Sequence, residues 1–216
     1  MKVAILGSGD VGQALAKAFK SEGHEVQLAT RDTKSDKAKS IKDELGIEVH
    51  SFAQVAEWCE LVVLCVLYTA LEDVVSQIRD HLKNKVVIDV TNPLDLSSGM
   101  PPSLLIGTND SAGEEVQRKL PQAKVVKALN SVGNGHMYKP QFDNVGDITP
   151  TMFYCGNDKG AKEIVHTILL SFGWSPVDIG DITGSRELEP LCILWVKYGM
   201  ATNTWNHAFT MLTQDK

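Results

Sequence analysis

KVAILGSGDVGQALAKAFKSEGHEVQLATR, residues 2–31, governs how the rest of the chain is read. Lys2–Leu6 is a short apolar run rich in β-formers. It leads directly into Gly7-Ser8-Gly9-Asp10-Val11-Gly12, after which Ala14, Leu15, Ala18 and Phe19 recur at helical spacing. A second apolar run, Val26–Ala29, follows the turn at Gly23-His24. Strand, glycine turn, helix and strand form the context in which G-x-G-x-x-G signals dinucleotide binding. Gly7 permits the tight turn, Gly9 lets backbone approach a pyrophosphate, and Gly12 lets helix and strand pack closely. The helix start offers free N–H groups and a positive dipole end to phosphates. Ser8, Asp10 and Val11 complete the expected cradle.

The end of the second strand selects the dinucleotide. An NAD site usually carries Asp or Glu there to hold the ribose 2′-hydroxyl. This chain has Ala29-Thr30-Arg31, with Lys34 beyond. Arg31 can fork onto a 2′-phosphate and Thr30 can donate a hydroxyl, whereas a carboxylate would repel it. The residues therefore favour NADP(H). Asp32 would serve as the NAD acid if the strand ended one residue later.

Beyond residue 31, strands and helices alternate. The expected elements are a polar helix over Thr33–Leu45, a strand at Gly46–Val49, a helix at Phe52–Trp58 and a buried strand at Leu61–Val66. A helix to about His81, a strand at Lys85–Val90, a helix at Ala112–Leu120 and a strand at Val125–Leu129 follow. The Ser/Gly/Pro stretch to about Asp110 is too long for a tight connection, so it is mobile or functional. Thr151–Cys155 and Val177–Ile179 read as strands around a helix at Lys159–Phe172. The pattern predicts an α/β fold with a doubly wound parallel sheet of Rossmann type, a small C-terminal α/β extension and a long C-terminal helix. Residues 1–150 are expected to bind the nucleotide and residues 151–216 to form the extension.

The last helix is predicted over Glu187–Leu212, with Leu188, Leu191, Trp195, Tyr198, Thr202, Trp205, Phe209 and Leu212 at helical spacing. Its middle is apolar nearly all round apart from Lys197, so a second subunit is expected to cover part of it. Ligands of such sheets lie across the carboxyl ends of the strands. Those ends are the glycine turn, Thr30-Arg31, Val66-Leu67-Tyr68, Asn92-Pro93, and Ala128 and Asn130 through His136. They should converge on one cleft.

The 216 residues suit one α/β domain with an appendage, and the 43% hydrophobic and 22% charged fractions are ordinary for a globular protein. The net charge of −6 argues against nucleic-acid and anionic-membrane partners. No signal peptide or membrane-spanning run is expected, and four cysteines without C-x-x-C spacing point to reduced thiols and a cytoplasmic protein. His24, His50, His81, His136, His166 and His207 lack metal-ligand spacing, so no metal is expected. In 3-hydroxyacid dehydrogenases of similar build a Lys and an Asn one helical turn apart supply a proton. Here Lys197 and Asn203 are six apart, on different helix faces. His136 and Tyr68 remain the donor candidates, each with a packing role as its alternative.

Several stretches together resemble the NADP oxidoreductase, coenzyme F420-dependent family: F420H2:NADP+ oxidoreductases and their relatives, including the reductase domains of membrane ferric reductases. They are VAILGSGDVGQALA, GHEVQLATRD, VVIDVTNPL, VVKALNSVG, YCGNDKGAKEIVHTILLSFGWSPVDIGDI and RELEPL. The resemblance implies a 2′-phosphate held at Thr30 and Arg31, and a nicotinamide among Leu67-Tyr68, Asn92-Pro93 and Ala128–Val132. It also implies hydride passing directly between stacked rings, with F420 or FMN/FAD as co-substrate and no side-chain acid or base. Two other functions stay open on the residues: an NADPH-dependent carbonyl or imine reductase using His136 or Tyr68, and a non-catalytic NADPH-sensing protein.

Overall fold

Val3 and Ile5 face one side of the first strand and Ala4 and Leu6 the other, and all four are fully buried. A strand buried on both faces must lie inside a sheet covered by helices on both sides. The computed structural model describes residues 1–143 and 146–214. The first strand, β1 (Lys2–Leu6), runs through the glycine turn into α1 (Asp10–Ser21), then β2 (Glu25–Ala29), α2 (Asp36–Leu45) and β3 (Glu48–His50). Next come α3 (Phe52–Trp58), β4 (Leu61–Leu64), α4 (Leu71–Ile78) and β5 (Val86–Asp89). A capping box starts α3: Ser51 accepts from the Gln54 N–H while Gln54 reaches back to the Ser51 N–H.

The long Ser/Gly/Pro stretch contains a small antiparallel hairpin, β6 (Leu94–Asp95) with β7 (Ser103–Leu104). Leu94 packs against Cys192, Trp195 and Val196 of the last helix, so the stretch braces that helix. After it come α5 (Ala112–Lys119), β8 (Lys124–Lys127), β9 (Thr151–Gly156), α6 (Lys159–Ser171), β10 (Ser175–Asp178) and α7 (Ser185–Thr202).

Eight strands form one sheet in the order β10-β9-β8-β5-β4-β1-β2-β3. Neighbours are parallel except β8 and β9, so the extension continues the sheet in the opposite sense. Helices α1 and α6 cover one face, where Phe19 and Phe172 meet edge-on at 5.0 Å between ring centroids. Helices α3, α4 and α5 cover the other. The chain order reverses at β1, whose neighbours are β2 and β4, and such a reversal opens a crevice at the carboxyl ends.

The last helix departs from its expected extent. It spans Ser185–Thr202, starting two residues early and stopping ten before Leu212. Asn203 takes a left-handed conformation (φ 52°), which asparagine tolerates, and the chain reverses there. Trp205 and Phe209 therefore lie on a returning tail, and their helical spacing is coincidental. Cys192, Trp195, Val196 and Gly199 face inward, while Leu194, Lys197, Tyr198 and Met200 face solvent. Among the described residues no helix is long and apolar enough to cross a membrane.

Candidate active site

The glycine turn is built by two close backbone approaches. Gly7 has φ +125°, and a β-carbon there would stand 2.7 Å from the Cys65 carbonyl oxygen at the end of β4. A β-carbon at Gly12 would meet the Gly7 carbonyl oxygen at 1.9 Å. Neither position accepts a side chain without moving the loop. Gly9 differs: a β-carbon added there meets nothing within 4 Å. It is the N-cap of α1, and no side chain caps that helix, so its first-turn N–H groups face the open space above Gly9. An anion at a helix start with free amides needs no further support. The cradle therefore fits a pyrophosphate.

The end of β2 lies beside the cradle. Thr30 Oγ1 is 3.3 Å from Ser8 Oγ, which ties the two loops together. Arg31 and Lys34 are exposed, and among the described residues no carboxylate pairs with Arg31. Because β2 stops at Ala29, Asp32 falls in the following loop, where its Oδ1 accepts from the Lys34 N–H at 2.9 Å. Its carboxylate is committed to that turn, and Thr30-Arg31 stand where the NAD acid would be.

Next to the cradle, the carboxyl ends of β5 and β8 and the inner face of α7 enclose a cavity of about 680 Å³. Val11 borders it from the glycine turn, Val90 and Asn92 from beyond β5, and Leu129, Asn130 and Val132 through Met137 from beyond β8. Cys192, Trp195 and Val196 form the α7 wall, and Trp205 and Asn206 of the tail close it. Among the described residues no Asp, Glu, Lys or Arg lines it. Burial pushes the Cys192 thiol up to about 11, so that wall is neutral as well. Leu129 has φ 60°, a conformation that costs a bulky residue about 1–3 kcal/mol and is usually kept at functional sites.

Two asparagines join the strand ends. Asn92 Nδ2 donates to the Asn130 carbonyl at 2.8 Å, and Asn130 Nδ2 donates to Asn92 Oδ1 at 3.0 Å and to the Leu188 carbonyl at 2.8 Å. Asn130 Oδ1 is buried without a partner among the described residues. Ala128 and Pro93 are buried.

The structure thus brings Val11, Asn92, Asn130 and His136 to one cavity, with Gly7, Ser8, Gly9, Asp10, Gly12 and Thr30 around the adjoining cradle. His136 is half-buried, its ring 4.8 Å from Phe142. Leu67 is exposed past β4 and Val66 half-buried. Tyr68 points elsewhere. With Trp58 and Val66 it packs against the core on the α3–α5 face, and its hydroxyl donates to Glu115. Burial and that carboxylate raise its pKa well above an ordinary tyrosine, so it holds its proton tightly.

Sequence reasoning passed over the group that holds α7 in place. Lys127, fully buried, donates to Asp89 at 3.0 Å, to Glu189 at 2.9 Å and to the Thr91 carbonyl. Burial alone would lower its pKa, but the two carboxylates outweigh it and keep it cationic. Glu189 also accepts from the Ala112 and Gly113 N–H groups at the start of α5 (3.1 and 3.0 Å). Beside it Arg186 grips Glu114 through two hydrogen bonds of 2.8 and 2.6 Å. These contacts explain the RELEPL stretch: its arginine and second glutamate fasten α7 to α5 and the sheet. A usable signal was the charged residue that closes each of two apolar runs, Asp89 in VVID and Lys127 in KVVK.

Comparison with known proteins identifies the family. The sequence model described as NADP oxidoreductase coenzyme F420-dependent matches residues 2–93. The F420-dependent NADP reductase of Methanocaldococcus jannaschii is 32% identical over 214 residues, covering 92% of this chain and 94% of that one. The chain belongs to the F420-dependent NADP oxidoreductase family. A crystal structure from Arthrobacter sp. FB24, assigned to the F420-dependent NADP reductases, superposes on 99% of the chain and 100% of its own. Its TM-score is 0.92 at 36% identity. A Streptomyces aurantiacus imine reductase covers 94% of this chain and 64% of its own at a TM-score of 0.67 and 18% identity, a likeness of fold alone. The stretch matched by the family model ends at Pro93 and so includes the cradle, Thr30-Arg31 and Asn92, while the α7 wall lies beyond it.

Proposed function

We propose that the chain is an NADP-dependent oxidoreductase that passes hydride between NADPH and a flat redox ring, coenzyme F420 or a flavin. The observation that carries this reading is an open phosphate cradle adjoining a cavity walled by two indoles and, among the described residues, by no Asp, Glu, Lys or Arg. Bound NADPH supplies the hydride from its nicotinamide ring. The chain's residues hold, orient and desolvate. Gly7 through Gly12 receive the pyrophosphate on backbone N–H groups, with Thr30, Arg31 and Lys34 on the 2′-phosphate. Asn92 and Asn130 present fixed amides at the sheet side of the cavity, and Val11, Val132, Val196 and Trp195 keep it dry. Proximity within such a cleft is the main catalytic contribution a protein can make to a ring-to-ring transfer. Residues 1–150 then serve the nucleotide, and residues 151–216 supply the acceptor side and, through the outer face of α7, pair with a second copy.

A second reading, reduction of a small carbonyl or imine, is supported by His136 on the cavity wall, where it could donate a proton. Adding F420, FMN, FAD and a carbonyl panel separately to protein with NADPH separates the two. Direct transfer gives oxidation with a ring acceptor that survives His136→Ala with little change in pH profile. Collapse of the rate in that variant, with turnover only on carbonyls, selects the second. No oxidation by any of them defeats both and leaves an NADPH-binding sensor.

A further inference from the structure

We infer that Trp205, on the returning tail, is the residue that sets which acceptors the cavity takes, a conclusion resting on the hydride-transfer reading above. The tail is fastened to the site rather than trailing from it. After the reversal at Asn203, the Thr204 N–H donates to the Gly199 carbonyl at 3.2 Å. Trp195 Nε1 donates to the His207 carbonyl, His207 Nε2 to the Trp195 carbonyl, both at 2.9 Å, and the two rings stack with centroids 4.7 Å apart. Farther on, the Thr151 N–H donates to the Phe209 carbonyl and the Met211 N–H to Thr151 Oγ1, each at 2.9 Å.

Within this frame the two cavity indoles each rest on a glycine. A β-carbon at Gly133 would meet the Trp195 ring at 2.8 Å, and one at Gly199 would meet the Trp205 ring at 2.6 Å and the Thr204 carbonyl oxygen at 3.1 Å. The rings are 5.3 Å apart and inclined at 41°. Trp205 therefore has a defined seat, yet 46% of it remains exposed, and it lines the cavity. Among the described residues its indole N–H has no partner. A part-exposed aromatic face held in one orientation, in a cavity whose described walls carry no Asp, Glu, Lys or Arg, recognises a planar heteroaromatic ring by stacking.

The test uses the full chain with FMN or F420 as the ring probe. Binding is followed by quenching of tryptophan fluorescence, and turnover by NADPH oxidation. Trp205→Ala should raise the KM of the ring acceptor about tenfold, since one stacking contact is worth roughly that factor or more. Its kcat should change less than about twofold, and its NADPH Kd should stay at the wild-type value. Trp205→Phe should recover most of the loss. Gly199→Ala should act in the same direction as Trp205→Ala, because it displaces the indole without removing it, and it keeps the test available if the alanine variant folds poorly. Wild-type acceptor KM and quenching in Trp205→Ala, with an active wild type, overturn the assignment of Trp205 alone. An NADPH Kd that rises in step with the acceptor KM overturns it too, by showing a collapsed cavity. A wild type that reduces neither probe overturns the hydride-transfer reading and this inference with it.

Discussion

Replacing Lys127 with methionine keeps a long unbranched side chain in place and removes the charge from the centre of the buried cluster. Asp89 Oδ1 would keep the Thr91 N–H and hydroxyl, and Glu189 would keep the two α5 N–H groups. Asp89 Oδ2, Glu189 Oε1 and the Thr91 carbonyl would lose their ammonium partner. Breaking one side of a buried ion pair costs about 3–5 kcal/mol. The loss has a ceiling, because one of the two stranded carboxylates can take up a proton and hand the site back a single charge. That uptake costs about 4 kcal/mol at pH 7 and about 1.4 at pH 5, at 1.36 kcal/mol per pH unit above an ordinary carboxyl pKa. Lys127→Met should therefore lose about 3–4 kcal/mol at pH 7, or roughly 6–16 °C in Tm for a chain of this size. The sign with pH follows: the unfolded variant binds fewer protons than the folded one, so the deficit narrows as pH falls toward 5. Denaturant and thermal unfolding of wild type and variant at both pH values give the two differences. A deficit under about 1 kcal/mol at pH 7, or one that widens on acidification, would refute the reasoning.

Gly9→Ala separates fold from binding, since the added methyl meets nothing in the chain at an ordinary backbone angle. Stability should stay within about 0.5 kcal/mol while NADPH binding by calorimetry weakens about tenfold or more. Arg31→Ala should weaken NADPH by roughly one to two orders of magnitude and leave NADH unchanged, because only the former carries the 2′-phosphate. Equal loss for both nucleotides would remove that assignment. On the outer face of α7, Leu194→Lys should convert a dimer to a monomer in sedimentation at unchanged Tm; a wild type that sediments as a monomer would dispose of the pairing.

The N-terminal half was legible because each of its signals is local. The apolar run, the glycine turn and the helical spacing of Leu15, Ala18 and Phe19 lie within about twenty residues, and the parallel alternation repeats them. The far half depends on contacts between distant segments. Helical spacing ran on through Trp205, Phe209 and Leu212 because three apolar residues happened to fall in phase. Asn203 carried the stop signal, as an asparagine just past the last inward residue, but spacing outweighed it. Tyr68 sits at the carboxyl end of a strand, as cleft residues do, yet its hydroxyl is claimed by Glu115, forty-seven positions on. The left-handed Leu129 has no sequence signal at all. The glycines beneath Trp195 and Trp205 became meaningful only when the rings were seen resting on them.

The pairing of Asp89 directly opposite Lys127 has a consequence for how the sheet assembles. Val86, Val87 and Ile88 on one strand and Val125 and Val126 on the other are close to interchangeable as apolar partners, and valine zippered to valine discriminates poorly between alignments. A slip of one residue would turn the ammonium to the opposite face of the sheet, among the apolar side chains of Val63, Ile88, Val165 and Ile168. The charged pair thus acts as an alignment key, penalising a one-residue slip that the valines alone would tolerate.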